Sequence, residues 1–221
     1  MDELQNPMPE NGEQTQKDKG VKWSDLVFIG VCVLLIVAVV FFRLWWRKQY
    51  FGVSVNGSSM NQTLQHGDEL FVRYMQDGVT AERGDIIVVY TGAYTTGSGS
   101  YLIKRLIAIE GDKVRCTDGQ IEICYAGTQT YVPLEETYAY YGNYQLEYDF
   151  AEYEVQAGEI FFLGDNRSSS GSSQDSRYKE GHSNLQCLYK QTDIYGVVPS
   201  WSVKHKGICK FFIRYSNVTM Q

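Results

Sequence analysis

An unbroken apolar run near the start of the chain constrains the fold more than any other feature. Residues 26–42 are 17 consecutive residues without a charge, bounded by Asp25 and Arg43. As a helix this run is about 26 Å long, close to the apolar thickness of a bilayer. Trp23 at one end and the Trp45-Trp46 pair at the other are placed like the aromatic belts of a membrane helix.

A buried core helix and a cleaved signal peptide are the two alternatives for this run. Cleavage requires small residues after the run, but Arg-Leu-Trp-Trp-Arg-Lys follows it. We therefore predict a retained transmembrane helix over residues 25–46, preceded by a disordered cytoplasmic tail (residues 1–24). Orientation is not decided by charge, because three basic residues lie on each side. These are Lys17, Lys19 and Lys22 before the run and Arg43, Arg47 and Lys48 after it.

The remaining residues, 47–221, predict a mainly β domain of short coiled strands. Hydrophobic residues make up 43% of the chain, enough for a core, and the net charge of -6 without a basic run argues against nucleic acid as a partner. Turn signals such as Asp118-Gly119 separate short apolar runs. The predicted strands are residues 69–75, 85–90, 101–109, 120–124, 159–163, 194–198 and 208–215.

A tyrosine-rich insertion over about residues 113–153 interrupts this pattern. We interpret residues 125–153, which hold eight tyrosines, as a solvated β extension, with a partner-binding face as the alternative. Cys116 and Cys124 flank the Asp118-Gly119 turn but are not directly opposite in a two-residue hairpin. Together with Cys187 and Cys209 they permit three disulfide pairings, between which the sequence does not decide.

Ser59 and Lys104 are the candidates for chemistry. Ser59 follows Gly57 in a turn-rich segment, where glycine allows close backbone approach. Lys104 shares a predicted strand face with Leu102 and Leu106. If that face is buried, the pKa of Lys104 falls and its neutral amine can act as a general base. The alternative is an edge-strand lysine that reaches water.

A third turn-rich segment carries charged and amide side chains that can lock a loop. It comprises Gly164-Asp165-Asn166-Arg167 followed by Asp175-Ser176-Arg177. None of the three histidines (His66, His182 and His205) has an obvious acidic companion, so a serine–lysine pair is favoured over a serine–histidine pair. No metal or nucleotide motif is present, and we predict no cofactor.

Five motifs occur in order along the chain. They are Gly57-Ser58-Ser59-Met60 with Thr63-Leu64, His66-Gly67-Asp68, Arg83-Gly84-Asp85, Leu102-Ile103-Lys104-Arg105 with Gly111-Asp112, and Gly164-Asp165-Asn166-Arg167 with Asp175-Ser176-Arg177. This set, with one apolar helix ahead of it, resembles the type I signal peptidases of Gram-positive type. These are membrane-anchored serine proteases, and the resemblance covers about residues 24–200.

The resemblance implies a role for each matching residue. Ser59 is the implied nucleophile, with its backbone N–H in the oxyanion hole, and Lys104 is the implied general base. Some members carry a hydroxyl at the position of Gly57, so here the second oxyanion donor is undetermined. Met60 is implied to pack beside the site. The implied ion-paired scaffold comprises Arg105, Asp165, Asp175 and Arg177, and the implied turn residues are Asp68 and Asp85.

Departures from the family pattern affect two loops. Gln62 and Glu110 stand where the family usually has proline. Between Arg167 and Asp175 the chain has seven residues, where four are typical. The family serine that orients the lysine is therefore either Ser173, counted back from Asp175, or Ser170, counted forward from Arg167. We favour Ser173.

The resemblance implies a signal-peptidase-type β fold and a single-pass protein of the bacterial plasma membrane, with an extracytoplasmic catalytic domain. The implied reaction removes signal peptides from exported preproteins, with small residues at the cleavage site, by a serine–lysine dyad and an acyl-enzyme. Implied partners are preproteins, the lipid bilayer and the secretion translocon. Two alternatives remain: a non-catalytic assembly or chaperone module for surface fibres, and a self-cleaving regulator of LexA type, against which the apolar helix argues.

Overall fold

The computed structural model describes residues 22–76, 78–91, 101–143, 149–168, 175–176, 189–213 and 219–220. Contacts divide the chain into two compact units, Met1–Leu44 and Trp45–Gln221. The prediction of a mainly β protein with one apolar helix near its start is confirmed.

Helix α1 (Trp23–Gln49) contains the apolar run and extends it at both ends. Its 27 residues span about 40 Å, and none of them is buried. Asp25 in the first turn and Arg47 and Lys48 in the last turn complement the helix dipole. Among the described residues, α1 is the one helix with the length and composition to cross a membrane.

Two mainly antiparallel sheets follow. The larger has the order β11 (Thr219–Met220), β1 (Tyr50–Val55), β2 (Glu69–Tyr74), β10 (Ile194–Val198), β3 (Ile86–Tyr90), β4 (Tyr101–Ile109) and β9 (Ile160–Leu163). The smaller has the order β7 (Val132–Pro133), β6 (Gln120–Cys124), β5 (Lys113–Thr117) and β8 (Phe150–Glu154). Among the strands that the structure describes, β1 and β11 are the one pair that runs parallel.

Six of the seven predicted strands are confirmed, with ends that agree within one residue. The seventh, over residues 208–215, is wrong for residues 208–213, which lie in helix α3 (Lys206–Ile213) directly after α2 (Ser200–Lys204). In a strand Phe211 would share a face with Cys209 and Ile213. Those two side chains are buried whereas Phe211 is 82% exposed, which is the periodicity of a helix.

The tyrosine-rich insertion is more buried than its sequence predicted. Side chains of the smaller sheet and of β4 and β9 form one core cluster, and Tyr141 and Tyr153 pack against it. The core residues from the insertion are Val114, Cys116, Ile121, Ile123 and Phe150. The solvated extension is predicted for residues 125–153, and this prediction is wrong for Phe150, which is buried in the shared core.

The β5–β6 hairpin sets the positions of two cysteines. Cys116 lies opposite Ile121 and Cys124 opposite Lys113, so the two cysteines are not directly opposite, as predicted. The four cysteines that the structure describes form no disulfide with one another. Cys187 lies outside the described residues.

Candidate active site

Ser59 lies in a tight turn between β1 and β2. Met60 and Leu64 fix this turn, because their side chains are 1% and 0% exposed and pack into the core. The Leu64 backbone N–H donates to the Met60 carbonyl at 2.8 Å. Gly57 has a φ of +109°, a conformation that favours glycine. The turn thus holds Ser59 half-buried at the surface of the core.

Lys104 is buried because β4 is covered on both faces. It lies opposite Ile87 of β3, and only 1% of its surface is exposed. A lysine that reaches water is therefore excluded. The Lys104 Nζ donates a hydrogen bond to Ser59 Oγ at 2.7 Å, which brings the two predicted chemical groups into direct contact.

Burial lowers the pKa of Lys104 from its usual 10.5 to about 8, because the apolar surroundings disfavour the ammonium. The carboxylates of Asp175 and Asp165 oppose this effect, with Asp175 the stronger. About a tenth of the amines are then neutral at pH 7, against fewer than one in a thousand for an ordinary lysine. This amine can accept a proton from a hydroxyl near neutral pH.

The loop after β9 packs directly on the backbone of the Ser59 turn. The Asn166 backbone N–H donates to the Ser59 carbonyl at 2.9 Å, and Asn166 Nδ2 donates to the Ser58 carbonyl at 3.0 Å. A Cβ at Gly164 would clash with the Ser59 carbonyl oxygen, so only glycine allows this approach. The loop therefore holds Ser59 from behind, through main-chain contacts.

A buried ion pair anchors the same loop to β4. Arg105 donates to Asp165 through Nε at 2.8 Å and Nη2 at 2.6 Å, and the Asp165 side chain is fully buried. The Thr63 hydroxyl also donates to Asp165, at 2.5 Å. The Arg105 Nη1 donates to the Gly84 carbonyl at 2.6 Å. Since Arg105 follows Lys104 and Thr63 belongs to the Ser59 turn, this cluster joins the elements that carry the amine and the hydroxyl.

Arg167 connects the loop to the tyrosine-rich insertion, a contact that sequence reasoning missed. Its side chain is fully buried and donates to Glu136 at 2.6 Å, to the Tyr141 hydroxyl at 3.2 Å and to the Gly164 carbonyl. Similarly, the Tyr138 ring lies 3.8 Å from the guanidinium of Arg105. Glu136 is 31 residues from Arg167, and no local pattern marked the pair.

The structure describes some of the other residues that the resemblance implied for the scaffold and the turns. Asp175 is 2% exposed, and its neighbour Ser176 exchanges hydrogen bonds with the Phe162 backbone of β9 at 2.8 and 3.0 Å. Asp68 and Asp85 accept hydrogen bonds within their turns, as structural residues do. Arg177, Ser170 and Ser173 lie outside the described residues.

Gln62 and Glu110, which stand where the family usually has proline, each have a backbone or side-chain feature that proline could not provide. Gln62 has a φ of +85°, which proline cannot adopt, so its turn differs from one built on proline. Glu110 uses its carboxylate to accept a hydrogen bond from the Gly158 backbone at 2.8 Å. This bond ties the end of β4 to the loop before β9.

A polar groove of about 470 Å³ opens beside the Ser59 turn. Its lining comprises Gly57, Ser58, Asn61, Gln62, Gln65 and His66. Within it, the Gly57 backbone N–H donates to His66 Nδ1 at 3.4 Å. A polypeptide that approaches Ser59 therefore meets polar groups on this side of the turn. Among the described residues no cluster of metal-ligating side chains is present.

Comparisons with known proteins identify relatives of this chain. The family model described as "Signal peptidase, peptidase S26" matches residues 22–203. A signal peptidase I of Bacillus licheniformis is 28% identical over 173 residues, which cover 76% of this chain and 85% of that protein. Signal peptidase I U of Bacillus subtilis (strain 168) is 30% identical over 141 residues, which cover 62% of this chain and 71% of that protein.

A crystal structure of a signal peptidase I from Enterococcus faecalis V583 is also similar. It is 26% identical with a TM-score of 0.38, and the match covers 55% of this chain and 98% of that one. A buried amine that is hydrogen-bonded to a serine hydroxyl can accept the proton of that hydroxyl. Because the family model matches most of its length, the chain belongs to the signal peptidase family, peptidase S26, and is a serine peptidase.

Proposed function

We propose that this protein is a membrane-bound endopeptidase that removes N-terminal signal peptides from exported preproteins. The observation that carries the proposal is the 2.7 Å contact between Ser59 Oγ and the buried Nζ of Lys104. Membership of the signal peptidase family supports the substrate class. The residues on the signal-peptide side of the cleaved bond are small, in the pattern Ala-x-Ala.

In the proposed reaction the neutral Lys104 amine accepts the Ser59 proton as Oγ attacks the carbonyl carbon. The Ser59 backbone N–H stabilises the developing oxyanion. Lys104 then returns the proton to the leaving amine, the peptide bond breaks, and the mature protein departs. The signal peptide remains as an ester on Ser59. Lys104 next takes a proton from a water molecule as the water oxygen attacks the ester carbonyl. It returns this proton to Ser59 Oγ as the ester bond breaks, which frees the signal peptide and restores the enzyme.

Cleavage of a preprotein by the full chain in lipid vesicles tests this function. Mass spectrometry of the products should give one new N-terminus, directly after the Ala-x-Ala segment. A preprotein with a bulky residue in place of the last alanine is the control and should remain intact. If the unaltered preprotein is not cleaved, or is cleaved at scattered positions, the proposal is contradicted.

The pH dependence of cleavage follows from the lowered pKa of Lys104. Below about pH 8 the amine is mostly protonated and cannot accept the Ser59 proton. We expect kcat/KM to rise about tenfold per pH unit up to that value and to level off above it. Initial rates between pH 5 and 10, restricted to the range in which the protein remains folded, measure this profile. A rise that continues to pH 10 without levelling off, as a base with the usual lysine pKa of 10.5 would give, would contradict it.

The contact between Gly164 and Ser59 gives a second prediction. In Gly164→Ala the new methyl group must displace the Ser59 carbonyl, and we expect kcat to fall by about a hundredfold, because misplacement of a reacting group is costly. The matched control is Gly207→Ala, where a Cβ has no neighbour within 4 Å. Its activity should remain unchanged. Equal activity of both variants would show that this approach does not position Ser59.

We also propose that a serine hydroxyl orients Lys104, with Ser173 favoured and Ser170 the alternative. Counting back from Asp175 is supported by the hydrogen bonds between Ser176 and Phe162, which fix the chain next to Asp175. Ser173→Ala should lower kcat by about ten- to a thousandfold, the scale of a lost positioning hydrogen bond. Ser170→Ala should be nearly silent, and the reverse result would move the role to Ser170.

The proposed location is the bacterial plasma membrane, with residues 25–46 as a single span and residues 47–221 outside the cytoplasm. The length and composition of α1 support the span, and the outer placement follows from the proposed substrate, because signal peptides are removed after export. The bilayer and the secretion translocon are then partners. Protease added to intact spheroplasts should digest the catalytic unit, and its protection would contradict this placement.

A further inference from the structure

Helix α3 has an apolar face that no described residue covers. Ile208, Phe211 and Phe212 are 58%, 82% and 71% exposed. Their spacing of i, i+3 and i+4 places them on one side of the helix, whereas Cys209 and Ile213 are buried on another. Single exposed apolar side chains are common on protein surfaces, but three large ones side by side indicate an interaction site.

The helix that carries this face is firmly attached to the catalytic unit. Lys206 Nζ lies 2.5 Å from Asp68 Oδ2 and donates a hydrogen bond to the Thr63 carbonyl at 3.4 Å. Thr63 belongs to the turn that holds Ser59. The exposed face is therefore a fixed feature of the unit, joined by one side chain to the turn of the nucleophile.

Aromatic contacts place α2, the short helix directly before α3, beside the last residues of α1. The Trp46 ring centroid lies 6.0 Å from that of Trp201 in α2, and Tyr50 lies 5.9 Å from Trp201. Only His205 separates α2 from α3. Trp46 follows the apolar run, where tryptophan favours the headgroup layer of a bilayer. The segment α2–α3 therefore begins next to the residues expected at the membrane surface.

The charges around the apolar face fit an anionic surface. Lys204 in α2 and Lys210 in α3 are exposed, although the chain as a whole carries a net charge of -6. At about 100° per residue, Lys210 lies about 100° around the helix from Phe211, on its polar side. Exposed phenylalanine on one side of a helix and lysine on the other are typical of helices that lie in the interface of membranes with anionic lipids. Trp46 beside this segment favours the bilayer as the occupant, because tryptophan concentrates at the membrane surface.

We propose that α3 docks on the anionic surface of the bilayer, with Ile208, Phe211 and Phe212 inserted about 5–10 Å into the boundary between headgroups and acyl chains. This inference rests on the proposed membrane anchoring by α1. The docked helix is a second membrane contact, independent of the span. It holds the Ser59 turn at a fixed height above the bilayer, where the cleavage site of a membrane-bound preprotein is accessible.

Photocrosslinking in the full chain tests the docking. Phe211→p-benzoylphenylalanine replaces one aromatic side chain by another, and the control is Tyr125→p-benzoylphenylalanine, at a 40% exposed tyrosine after β6. Both variants are placed in vesicles of phosphatidylcholine with about one-third phosphatidylglycerol and illuminated. Mass spectrometry should find phospholipid adducts at position 211 at least about fivefold more often than at position 125. The yield at position 211 should fall in vesicles of phosphatidylcholine alone.

Other products would overturn the proposal. A covalent dimer of the chain at position 211 would mean that a second copy covers the face, and equal lipid adducts at both positions would mean no specific docking. Phe212→p-benzoylphenylalanine repeats the test if the first variant does not fold. Preprotein cleavage is measured on the same samples: cleavage without lipid adducts ends the docking proposal alone, whereas adducts without cleavage contradict only the proposed function.

Discussion

Lys104→Ala is expected to lower kcat/KM for preprotein cleavage by at least about a thousandfold, and Ser59→Ala by as much. The first variant removes the base that lies 2.7 Å from the hydroxyl, and the second removes the hydroxyl itself. Because the two groups act in one proton transfer, the double variant should be no slower than either single variant. Rates with one preprotein at pH 8 measure all three losses.

Matched controls separate chemistry from folding. Ser200→Ala changes an exposed serine at the start of α2, and Lys113→Ala removes a partly exposed lysine whose Nζ lies 3.6 Å from Glu154. Both should retain activity close to that of the unaltered protein. Circular dichroism should show that all variants fold. Substantial activity in either Ser59→Ala or Lys104→Ala would contradict the proposed dyad, as would losses that simply multiply in the double variant.

Arg105→Met is expected to lower the free energy of unfolding of the catalytic unit by about 3–5 kcal/mol. The substitution leaves the fully buried Asp165 carboxylate without the two N–H groups that Arg105 donates. The Tyr138 ring also loses its contact with the guanidinium of Arg105. Denaturant unfolding of the full chain in detergent, followed by near-UV circular dichroism, measures the change.

Arg115→Met is the matched control for this ion pair. Arg115 also pairs with a carboxylate, Glu122 at 2.8 Å, and also lies over a tyrosine ring, Tyr131 at 4.0 Å. Its side chain is exposed to water, which solvates both partners after the change, so only a small effect is expected. An equal decrease in the free energy of unfolding of Arg105→Met and Arg115→Met would show that the burial of Asp165 adds nothing to the contribution of its ion pair.

Local sequence patterns were sufficient for the helix and for most strands. The apolar run identified α1, and β4 was predicted at its observed bounds because apolar residues fill it between clear turn signals. The residue types favoured a pair of Ser59 with Lys104, and the resemblance of five ordered motifs supported this pairing independently. The lysine alone is equally consistent with an exposed edge strand, and its burial depends on neighbours on both faces of β4.

Long-range and ambiguous features could not be predicted. Glu136 pairs with Arg167 across 31 residues, and nothing in the local sequence around either residue indicates the other. The short, mostly apolar run at residues 208–213 fits a strand or one face of a helix equally well, because six residues contain too few turns to distinguish the two periods. Its helical form leaves Phe211 and Phe212 exposed, which a prediction based on core burial does not anticipate.

Direct titration of the Lys104 amine tests the central claim of a buried lysine base. Lysine labelled with ¹³C at Cε is incorporated into the full chain, and the Lys104 signal is assigned by its loss in Lys104→Ala. The chemical shift, followed from pH 6 to 11, should give a pKa of about 8. A pKa near the usual value of 10.5 would mean that the amine is charged at the working pH and cannot accept the Ser59 proton.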